Sequence, residues 1–209
     1  MTASTTAELK ARWHPEALAA ADRAFSAMDP VAAYQGRPPP HACVSPFGQV
    51  DGYEDFRHLP LAGAPANRRI ERVDLSFATD GRGGQLAQAT FIDCRFDYSA
   101  IESNLGKHFE RCTFVRAKLA RSLLRGHYVD CDFRGADLSR CTSGEATFTR
   151  CDFSGARLVA VQWPRTVFDQ CRWDDATFGS AVFTGSRFIG SRPDSRALAM
   201  ALMAKVEFA

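Results

Sequence analysis

The sequence has no surplus of either charge and no long hydrophobic run. Its 209 residues carry a net charge of only +2, which argues against a basic protein that binds polyanions and against a strongly acidic decoy. The first residues, MTASTTAELKARWHPEALAAA, do not form the unbroken apolar stretch of a secretory signal, and no later run is long enough to span a bilayer. We therefore expect a cytoplasmic protein without membrane contact, long enough for one sizeable core.

Catalytic and cofactor motifs are also absent. The sequence contains no HExxH segment, no Ser/His/Asp arrangement and no carboxylate pair in a recognisable cleft. The glycine-rich segment ATDGRGG at 78–84 lacks the GKS or GKT of a phosphate-binding loop, and we interpret it as a solvated turn. The sequence therefore predicts no catalytic residue and no cofactor, and enzyme activity is not expected.

What the sequence does contain is a repeat of five residues. From Tyr128 onward every fifth residue is large and apolar, with Ser143 as the single exception, and a smaller residue stands two positions before each of them. Neither a helix, with about 3.6 residues per turn, nor a strand, with a period of two, produces this spacing. A repeat architecture does. The positions are Tyr128, Phe133, Leu138, Ser143, Phe148, Phe153, Leu158, Trp163, Phe168, Trp173, Phe178, Phe183 and Phe188.

Two segments of ten residues carry a family resemblance. CDFRGADLSR at 131–140 and CDFSGARLVA at 151–160 resemble the pentapeptide-repeat proteins, whose loose consensus is A-[DN]-L-x-x with Cys and Phe as common variants. The resemblance implies an all-β solenoid, a right-handed quadrilateral β-helix in which each pentad forms one side and four pentads form one coil. The small residue and the central Leu or Phe would point inward. The family's functions are diverse, and the fold does not choose among them.

Counting four sides per coil assigns the large residues to four faces. The repeat settles at twenty residues after three corners shortened by one residue, at 101→105, 105→109 and 124→128. The first face is predicted to stack Phe96, Phe114, Phe133, Phe153 and Trp173, and the second face Ile101, Leu119, Leu138, Leu158 and Phe178. The third face is predicted to stack Leu86, Leu105, Leu124, Ser143, Trp163 and Phe183, and the fourth face Phe91, Phe109, Tyr128, Phe148, Phe168 and Phe188.

Six of the seven cysteines fall on the small inward position, and five of these would share one column. Coils that pair like strands lie about 4.8 Å apart, so neighbouring thiols would be in contact. Stacked residues direct their sulfur atoms the same way, whereas a disulfide needs converging Cβ vectors. Because the sequence also has no CxxC pair, we interpret the cysteines as core residues in a reducing compartment. The column is Cys94, Cys112, Cys131, Cys151 and Cys171.

The segments that flank the repeat are predicted to differ from it. Residues 1–30 form an N-terminal helical segment, with a helix at 15–28 that begins at Pro15 and presents one apolar stripe. Residues 31–67 are rich in proline and are predicted as an irregular segment that covers the first coil. The β-helix is then predicted at 68–191. Residues 192–209 are predicted as a C-terminal capping helix, with homodimerisation through this helix as the alternative.

The outward positions carry whatever function the sequence shows. Residues 84–191 contain 12 acidic and 14 basic residues, and we expect opposite charges on adjacent coils, as for Asp130 and Arg150. Scattered basic residues and inward aromatic residues argue against direct nucleic-acid binding. His108 and His127 would need a third ligand, such as Glu110 or Asp130, to hold a metal, so we interpret them as ordinary surface histidines and expect no metal site.

One departure in the third face predicts a partner surface. Ser143 is small and polar where Phe or Leu is usual, and one coil later Trp163 is followed by Pro164, which cannot donate a ladder hydrogen bond and is expected to interrupt the pairing. The simpler interpretation is that Trp163 fills the space left by Ser143. The functional hypothesis is that this face docks a partner. The candidate surface comprises Ser143, Glu145, Gln162, Trp163 and Arg165, with a small acidic patch at Asp132 and Asp152.

The leading functional expectation is a non-enzymatic protein–protein interaction module that binds or shields an unidentified protein target, as in toxin immunity or self-resistance. Certain members of the family resemble B-form DNA in shape and negative surface and protect DNA gyrase, so the resemblance implies a DNA mimic that protects a topoisomerase as an alternative. The slight basic excess opposes it, because a mimic needs ordered rows of carboxylates. A purely structural scaffold is the third possibility. The composition, rich in Ala and Arg, favours a bacterial source.

Overall fold

Strands of two or three residues recur along the chain and stack mostly in parallel, which makes the molecule a β-solenoid. The computed structural model describes residues 5–28, 43–61, 67–80, 86 and 88–209. The helices are α1 (Thr6–Ala11) and α2 (Pro15–Ser26). The strands are β1 (Gln49–Val50), β2 (Tyr53–Asp55), β3 (Arg69–Glu71), β4 (Val73–Asp74), β5 (Thr90–Ile92), β6 (Asn104–Leu105), β7 (His108–Glu110), β8 (Leu123–Leu124), β9 (His127–Val129), β10 (Thr147–Thr149), β11 (Val167–Asp169), β12 (Arg187–Ile189) and β13 (Glu207–Phe208).

Eight strands form one parallel sheet in the order β13-β12-β11-β10-β9-β7-β5-β3. Each of these strands belongs to one coil, so seven turns of the solenoid separate the first strand from the last. Phe109 pairs with Tyr128, and Tyr128 pairs with Phe148, which is the predicted stacking of the fourth face. The chain returns to the same position once per coil, so residues one repeat apart stack on each other.

The other three faces are connected by shorter ladders. On the first face a parallel bridge joins Asp132 to Asp152, and on the second face one joins Asp137 to Arg157. On the third face β6 pairs in parallel with β8. The bridged residues come directly before the predicted inward residues, so the assignment of residues to faces is confirmed. The right-handed, quadrilateral form that the resemblance implies stays a prediction.

Stacked rings fill the interior. On the fourth face the ring centroids of Phe91 and Phe109 are 5.1 Å apart, and those of Phe109 and Tyr128 are 5.2 Å apart. On the first face the rings of Phe114 and Phe133 are 4.8 Å apart and nearly parallel. All five side chains are fully buried. Because full burial of one such side chain contributes about 1.5–3 kcal/mol, these columns are the main source of stability.

Two of the shortened corners depend on glycine. Gly106 lies in the corner 105→109 and Gly126 in the corner 124→128. A Cβ atom on Gly126 would lie 2.6 Å from the carbonyl oxygen of Lys107, and one on Gly106 would lie 2.9 Å from the carbonyl oxygen of Ala89. The corners can lose a residue because the backbones of successive coils approach closely there.

The solenoid begins earlier than predicted. β2 pairs in parallel with β4, and the Phe56 N–H donates to the carbonyl oxygen of Asp74 at 2.9 Å. Phe56 and Leu61 stand five residues apart and are both buried, so they form two sides of a first coil. The prediction of an irregular covering segment is therefore wrong for residues 53–61, where two points were too few to show the period. The rest of that segment falls partly outside the described residues, at 31–42 and 62–66.

The N-terminal helices pack on this first coil. α2 lies within the predicted helix at 15–28, whereas α1 was not predicted. The Phe25 ring centroid is 4.9 Å from that of Phe56, and the Trp13 ring is stacked on Phe56 at 6.1 Å. The Trp13 Nε1–H donates to the Arg57 carbonyl oxygen at 2.8 Å. The apolar stripe of α2 is therefore buried against the ring at the start of the aromatic columns.

The predicted C-terminal helix at 192–209 is wrong, because the chain instead adds another coil. β13 pairs in parallel with β12, with Phe208 opposite Phe188, and Leu202 bridges Val182. What remains of a helix is one turn, in which the Leu198 N–H donates to the Asp194 carbonyl oxygen at 3.1 Å.

The period of five continues through this tail at Leu198, Met203 and Phe208. The alanine, leucine and methionine residues of this segment favour a helix and so obscure the period, although Ala201 and Val206 fit the small inward positions of a coil. Parallel pairing with the preceding coil decides between the two. Local propensity gives way to the template that the earlier coils provide.

Candidate functional site

Arginine and carboxylate side chains alternate along one outer corner of the solenoid. Arg111 Nε lies 2.7 Å from Asp93 Oδ1, and Arg150 Nε lies 2.7 Å from Asp130 Oδ1, with each partner one coil away. The chain turns a corner at these four residues, and their φ angles are therefore about 50°. Only a minority of non-glycine residues adopt such an angle. The predicted alternation of charge on adjacent coils is confirmed for this column.

Most carboxylates of the coils lie beside a guanidinium. The further pairs are Asp132 with Arg134, Asp137 with Arg157, Glu145 with Arg165, Asp152 with Arg172, and Glu207 with Arg187. Exposed pairs of this kind contribute at most about 1 kcal/mol each, so their main effect is on the electrostatic surface. Over the part of the chain that the structure describes, no face presents an unbroken row of unpaired carboxylates.

The predicted partner surface on the third face is only partly a surface. Glu145 and Arg165 are both 67% exposed and form an ion pair at 3.0 Å, and Gln162 is also exposed. Ser143 and Trp163 are buried, so the prediction that they contact a partner is wrong. Their position follows from the period of five, which directs every fifth side chain inward whether it is apolar or not.

The predicted acidic patch lies apart from these residues. Asp132 and Asp152 pair with each other along the first face and are mostly buried, whereas Gln162 pairs along the third face. Asp132 lies 2.6 Å from Arg134, and Asp152 lies 3.6 Å from Arg172. The structure therefore separates the predicted site into two surfaces.

The simpler interpretation of Ser143 agrees with the geometry. The Trp163 ring is stacked on Phe148 at 5.3 Å and contacts Phe168 at 5.8 Å, so it reaches across the interior. The Ser143 hydroxyl lies 3.0 Å from the Thr166 hydroxyl in the buried interior. Trp163, one coil after Ser143 on the same face, thus extends to the rings of the fourth face, and the Ser143 hydroxyl is satisfied by Thr166.

Pro164 does not interrupt pairing in the way that was predicted. The neighbouring N–H groups of Trp163 and Arg165 both donate to the next coil, to Val182 at 2.9 Å and to Thr184 at 3.0 Å. Pro164 stands between them. The equivalent residues of the neighbouring coils, Gly144 and Thr184, do not donate their N–H groups to the ladder either. Pro164 is therefore tolerated there without loss of a hydrogen bond.

A ladder of three rings on another outer corner was not predicted. The ring centroids of His58 and Phe77 are 4.7 Å apart, and those of Phe77 and Tyr98 are 5.1 Å apart, with nearly parallel planes. Phe77 is 37% exposed and Tyr98 is 45% exposed. We call these three residues the aromatic ridge. The available signal was that each stands two residues after an inward residue, outside the period of five.

The aromatic ridge ends beside the N-terminal helices. Burial lowers the pKa of His58, and the neighbouring cations Lys10 and Arg12 lower it further, so its imidazole is neutral at neutral pH. A neutral ring stacks on Phe77 without the cost of a desolvated charge. The ridge is thus an uncharged strip next to cationic side chains.

The two outward histidines, His108 and His127, lie on adjacent coils with ring centroids 6.5 Å apart. His127 Nδ1 lies 2.7 Å from the Thr147 hydroxyl, and His108 Nε2 lies 3.7 Å from Glu110. Within residues 5–28, 43–61, 67–80, 86 and 88–209, no three His, Cys, Asp or Glu side chains are grouped so that they could hold a metal ion. The polar neighbours of these histidines are thus Thr147 for His127 and Glu110 for His108.

All seven cysteines are buried and free. In the predicted column each thiol donates to a carbonyl oxygen of its own coil or of the preceding coil, as Cys131 does to Val129 at 3.4 Å and to Phe109 at 3.5 Å. Burial raises the pKa of the Cys141 thiol to about 12. The Cys141 thiol is hence protonated at neutral pH and donates its hydrogen bond within the core.

The described helices include none with the length and apolar character needed to cross a bilayer. The longer of the two, α2, has 12 residues and buries its apolar stripe on the first coil.

The repeat has counterparts among known proteins. The family model for pentapeptide repeats matches residues 129–161 in 8 copies. The pentapeptide repeat protein MfpA of Mycobacterium tuberculosis (strain ATCC 25618 / H37Rv) is 36% identical over 69 residues, which amount to 31% of this chain. The match spans 38% of the length of this curated relative.

The fold also has a counterpart among solved structures. A trypsin-treated form of QnrB1, described as a plasmid-mediated fluoroquinolone resistance protein, superposes with a TM-score of 0.52 at 19% identity. The superposition covers 74% of this chain and 86% of that chain, and it concerns the β-solenoid alone. The repeat copies match the family model over residues 129–161 and stack coil on coil, so this part of the chain consists of pentapeptide repeats.

Proposed function

We propose that this chain is a non-enzymatic protein-binding module that acts in the cytoplasm by binding or shielding another protein. The observation that carries the proposal is the aromatic ridge, where Phe77 and Tyr98 stay exposed on a molecule that buries the inward aromatic residues from Phe91 to Phe188. Exposed aromatic side chains are enriched at the centres of protein interfaces and dominate their binding energy. Within the described coils the interior is filled by buried rings stacked from coil to coil, which leaves the outer surface for a partner.

The third face is the second surface in this proposal. Glu145, Gln162 and Arg165 are exposed there, and the side chains between them are small or uncharged. The ion pair of Glu145 with Arg165 would lie at the rim of an interface, where charged pairs set orientation more than affinity. The acidic pair Asp132 and Asp152, on the first face, is a separate contact region.

The test is capture of the partner from the native cell with the tagged chain. A Phe77→Ser/Tyr98→Ser variant removes both exposed rings, and Arg140→Ser, an exposed position away from the ridge, is the matched control. We expect the variant to recover at least about tenfold less partner than the wild type and the control. Undiminished recovery with the ridge variant, together with loss in a Glu145→Lys/Arg165→Glu variant, would move the docking surface to the third face. Full recovery with both variants would overturn both surfaces.

Protection of a topoisomerase is the second candidate, favoured by the similarity to MfpA and by the description of QnrB1 as a fluoroquinolone resistance protein. The pairing of carboxylates with arginines opposes the DNA-mimic form of this function, because such a surface does not repeat negative charge as DNA does. A gyrase supercoiling assay with a quinolone, with and without micromolar amounts of the chain, tests it. Unchanged inhibition would exclude protection of gyrase.

The same proposal includes two finer points. If the target is a toxin, the captured partner should be harmful when it is expressed without this chain, which distinguishes immunity from a purely structural scaffold. A homodimer would form through the last coil, since a C-terminal helix is absent there and Leu202 and Phe208 are exposed on that coil. Light scattering of the wild type and of Phe208→Asp decides between monomer and dimer.

A further inference from the structure

The last coil leaves the hydrogen-bonded ladder of the first face. On the earlier coils the N–H of the inward residue donates to the next coil, as Phe133 does to Asp152 at 2.7 Å and Phe153 does to Arg172 at 2.9 Å. Trp173 is next in this column. Among the described residues its N–H forms no such bond, so the ladder stops one coil before the chain does.

Two more amides of the same coil are left open. The Gly155 N–H donates to the Asp174 carbonyl oxygen at 2.7 Å, but the N–H of Asp175, one coil later, has no equivalent partner in the described part of the chain. The same holds for Phe178, whereas the Leu158 N–H below it is paired at 2.7 Å. Unpaired N–H groups in a row are the edge at which a sheet accepts another strand.

The cause lies in residues 191–198. The Ser191 hydroxyl, and not the Arg192 N–H, bonds the carbonyl oxygen of Cys171. The Leu198 N–H donates to Asp194, so this stretch is a helical turn and does not pair as a strand. A cleft of about 720 Å³ therefore separates residues 171–176 from residues 191–197.

The two walls of this cleft differ in charge. On the inner wall, Arg172 lies 3.4 Å from Asp174 and is paired. On the outer wall, Arg192 and Arg196 form no salt bridge with the described residues, and the Arg192 guanidinium lies 5.4 Å from the centroid of the Phe208 ring. Asp194, between them, accepts the Arg196 N–H at 2.6 Å. The outer wall thus presents two guanidiniums, which bind carboxylates through charge-assisted hydrogen bonds.

We propose that this edge cleft, between residues 171–176 and 191–197, receives an extended acidic segment of a partner protein. The segment pairs its carbonyl oxygens with the N–H groups of Trp173 and Asp175 along the first face and bends at the corner, as the coils do, to reach the N–H of Phe178. Its carboxylates face Arg192 and Arg196. This inference rests on the proposed function, because it names the mode by which a protein partner adds to the solenoid. The occupant is a strand because the open donors repeat the spacing that the next coil fills elsewhere.

The test uses the full chain and two blocked octapeptides of opposite charge, one alternating Glu with Thr and one alternating Lys with Thr. In the free chain, amide exchange at Trp173, Asp175 and Phe178 should be at least about a hundredfold faster than at the paired residues one coil below. The Glu–Thr peptide should slow this exchange and bind at least about tenfold more tightly than the Lys–Thr peptide. An Arg192→Glu/Arg196→Glu variant should lose that preference, and the distant charge reversal Arg140→Glu should keep it.

Several results would overturn the proposal. Slow exchange at the three amides in dilute free chain would show that the edge is already filled. Protection that grows with chain concentration without peptide would assign the edge to a second copy. Equal binding of both peptides would remove the acidic occupant. Partner capture that is lost in the ridge variant but survives Arg192→Glu/Arg196→Glu would leave the proposed function standing while the edge cleft fails.

Discussion

The Arg12 guanidinium donates to both oxygens of the Asp55 carboxylate, at 2.7 Å each, and so connects the end of α1 to the first coil of the solenoid. Arg57 Nε donates to the same carboxylate at 2.9 Å. Burial raises the pKa of Asp55, but the hydrogen bonds from Arg12 and Arg57 outweigh it and hold the pKa well below its usual range. The aspartate is 93% removed from solvent on its side chain only because two cations satisfy it.

Asp55→Asn should destabilise the chain by about 3 kcal/mol, since it leaves the buried Arg12 guanidinium without its counter-charge. A folded-state pKa below the unfolded value means that the stability from this group is present above about pH 4 and is lost as the pH falls further. The wild type should therefore lose stability more steeply below about pH 4 than the variant does. Urea denaturation from pH 3 to pH 7, followed by tryptophan fluorescence, measures both effects.

Asp130→Asn is the matched control for this pair. Asp130 also accepts two hydrogen bonds from an arginine, but it and Arg150 are 40% and 50% exposed. Solvent screening should limit the loss to at most about 1 kcal/mol. Equal losses for the two variants would show that burial of Asp55 adds nothing to the stability.

The faces of the solenoid could be predicted because one rule, an inward residue every fifth position, fixes them without knowledge of tertiary contacts. Phe153 and Leu158 are assigned correctly by counting alone, and the parallel ladders confirm the count. The two ends could not be predicted in the same way. Phe56 and Leu61 offer only two points of the period, and Leu198 and Met203 stand in a segment whose composition equally favours a helix.

The candidate site was harder to predict than the fold for a physical reason. Outward positions are not constrained by packing, so the period says which residues are exposed but not which of them meet. The aromatic ridge depends on Phe77 and Tyr98 being stacked across coils, and the edge cleft depends on a ladder bond that Trp173 does not form. Both are properties of neighbouring coils rather than of any one pentad.

Gly126→Ala should destabilise the chain by about 2 kcal/mol or more, because the new Cβ would lie 2.6 Å from the Lys107 carbonyl oxygen and 2.9 Å from that of Gly106. The backbone of Lys107 and Gly106 cannot move aside without weakening the hydrogen bonds between the coils. Gly144→Ala, in a corner of normal length, meets nothing closer than the mobile Arg125 side chain at 3.6 Å, so it should change the stability by less than about 0.5 kcal/mol. Thermal denaturation of the two variants compares them, and a similar Tm would contradict the account of shortened corners.

Tyr128→Phe should leave the stability unchanged or raise it by about 1 kcal/mol. The Tyr128 hydroxyl is fully buried and forms no hydrogen bond within the described structure, so it was desolvated without compensation. The opposite change one coil later, Phe148→Tyr, should destabilise the chain for the same reason. A large loss of Tm in Tyr128→Phe would reveal a partner for this hydroxyl, such as a buried water.

Alkaline pH should weaken the folded state through the buried thiol of Cys141. Burial raises the pKa of Cys141 to about 12, whereas an unfolded thiol titrates near about 8.5, so the folded state holds its proton over this interval. The contribution of Cys141 to stability is thus complete below about pH 8.5 and declines as the pH rises toward 12. Cys141→Ala, which also removes the 2.8 Å hydrogen bond from the thiol to the Leu119 carbonyl oxygen, should lower the stability at pH 7 and flatten its decline above about pH 9. Unfolding free energies at pH 7 and pH 10 for the wild type and the variant measure this, and an equal decline in both would mean that the Cys141 proton is not linked to folding.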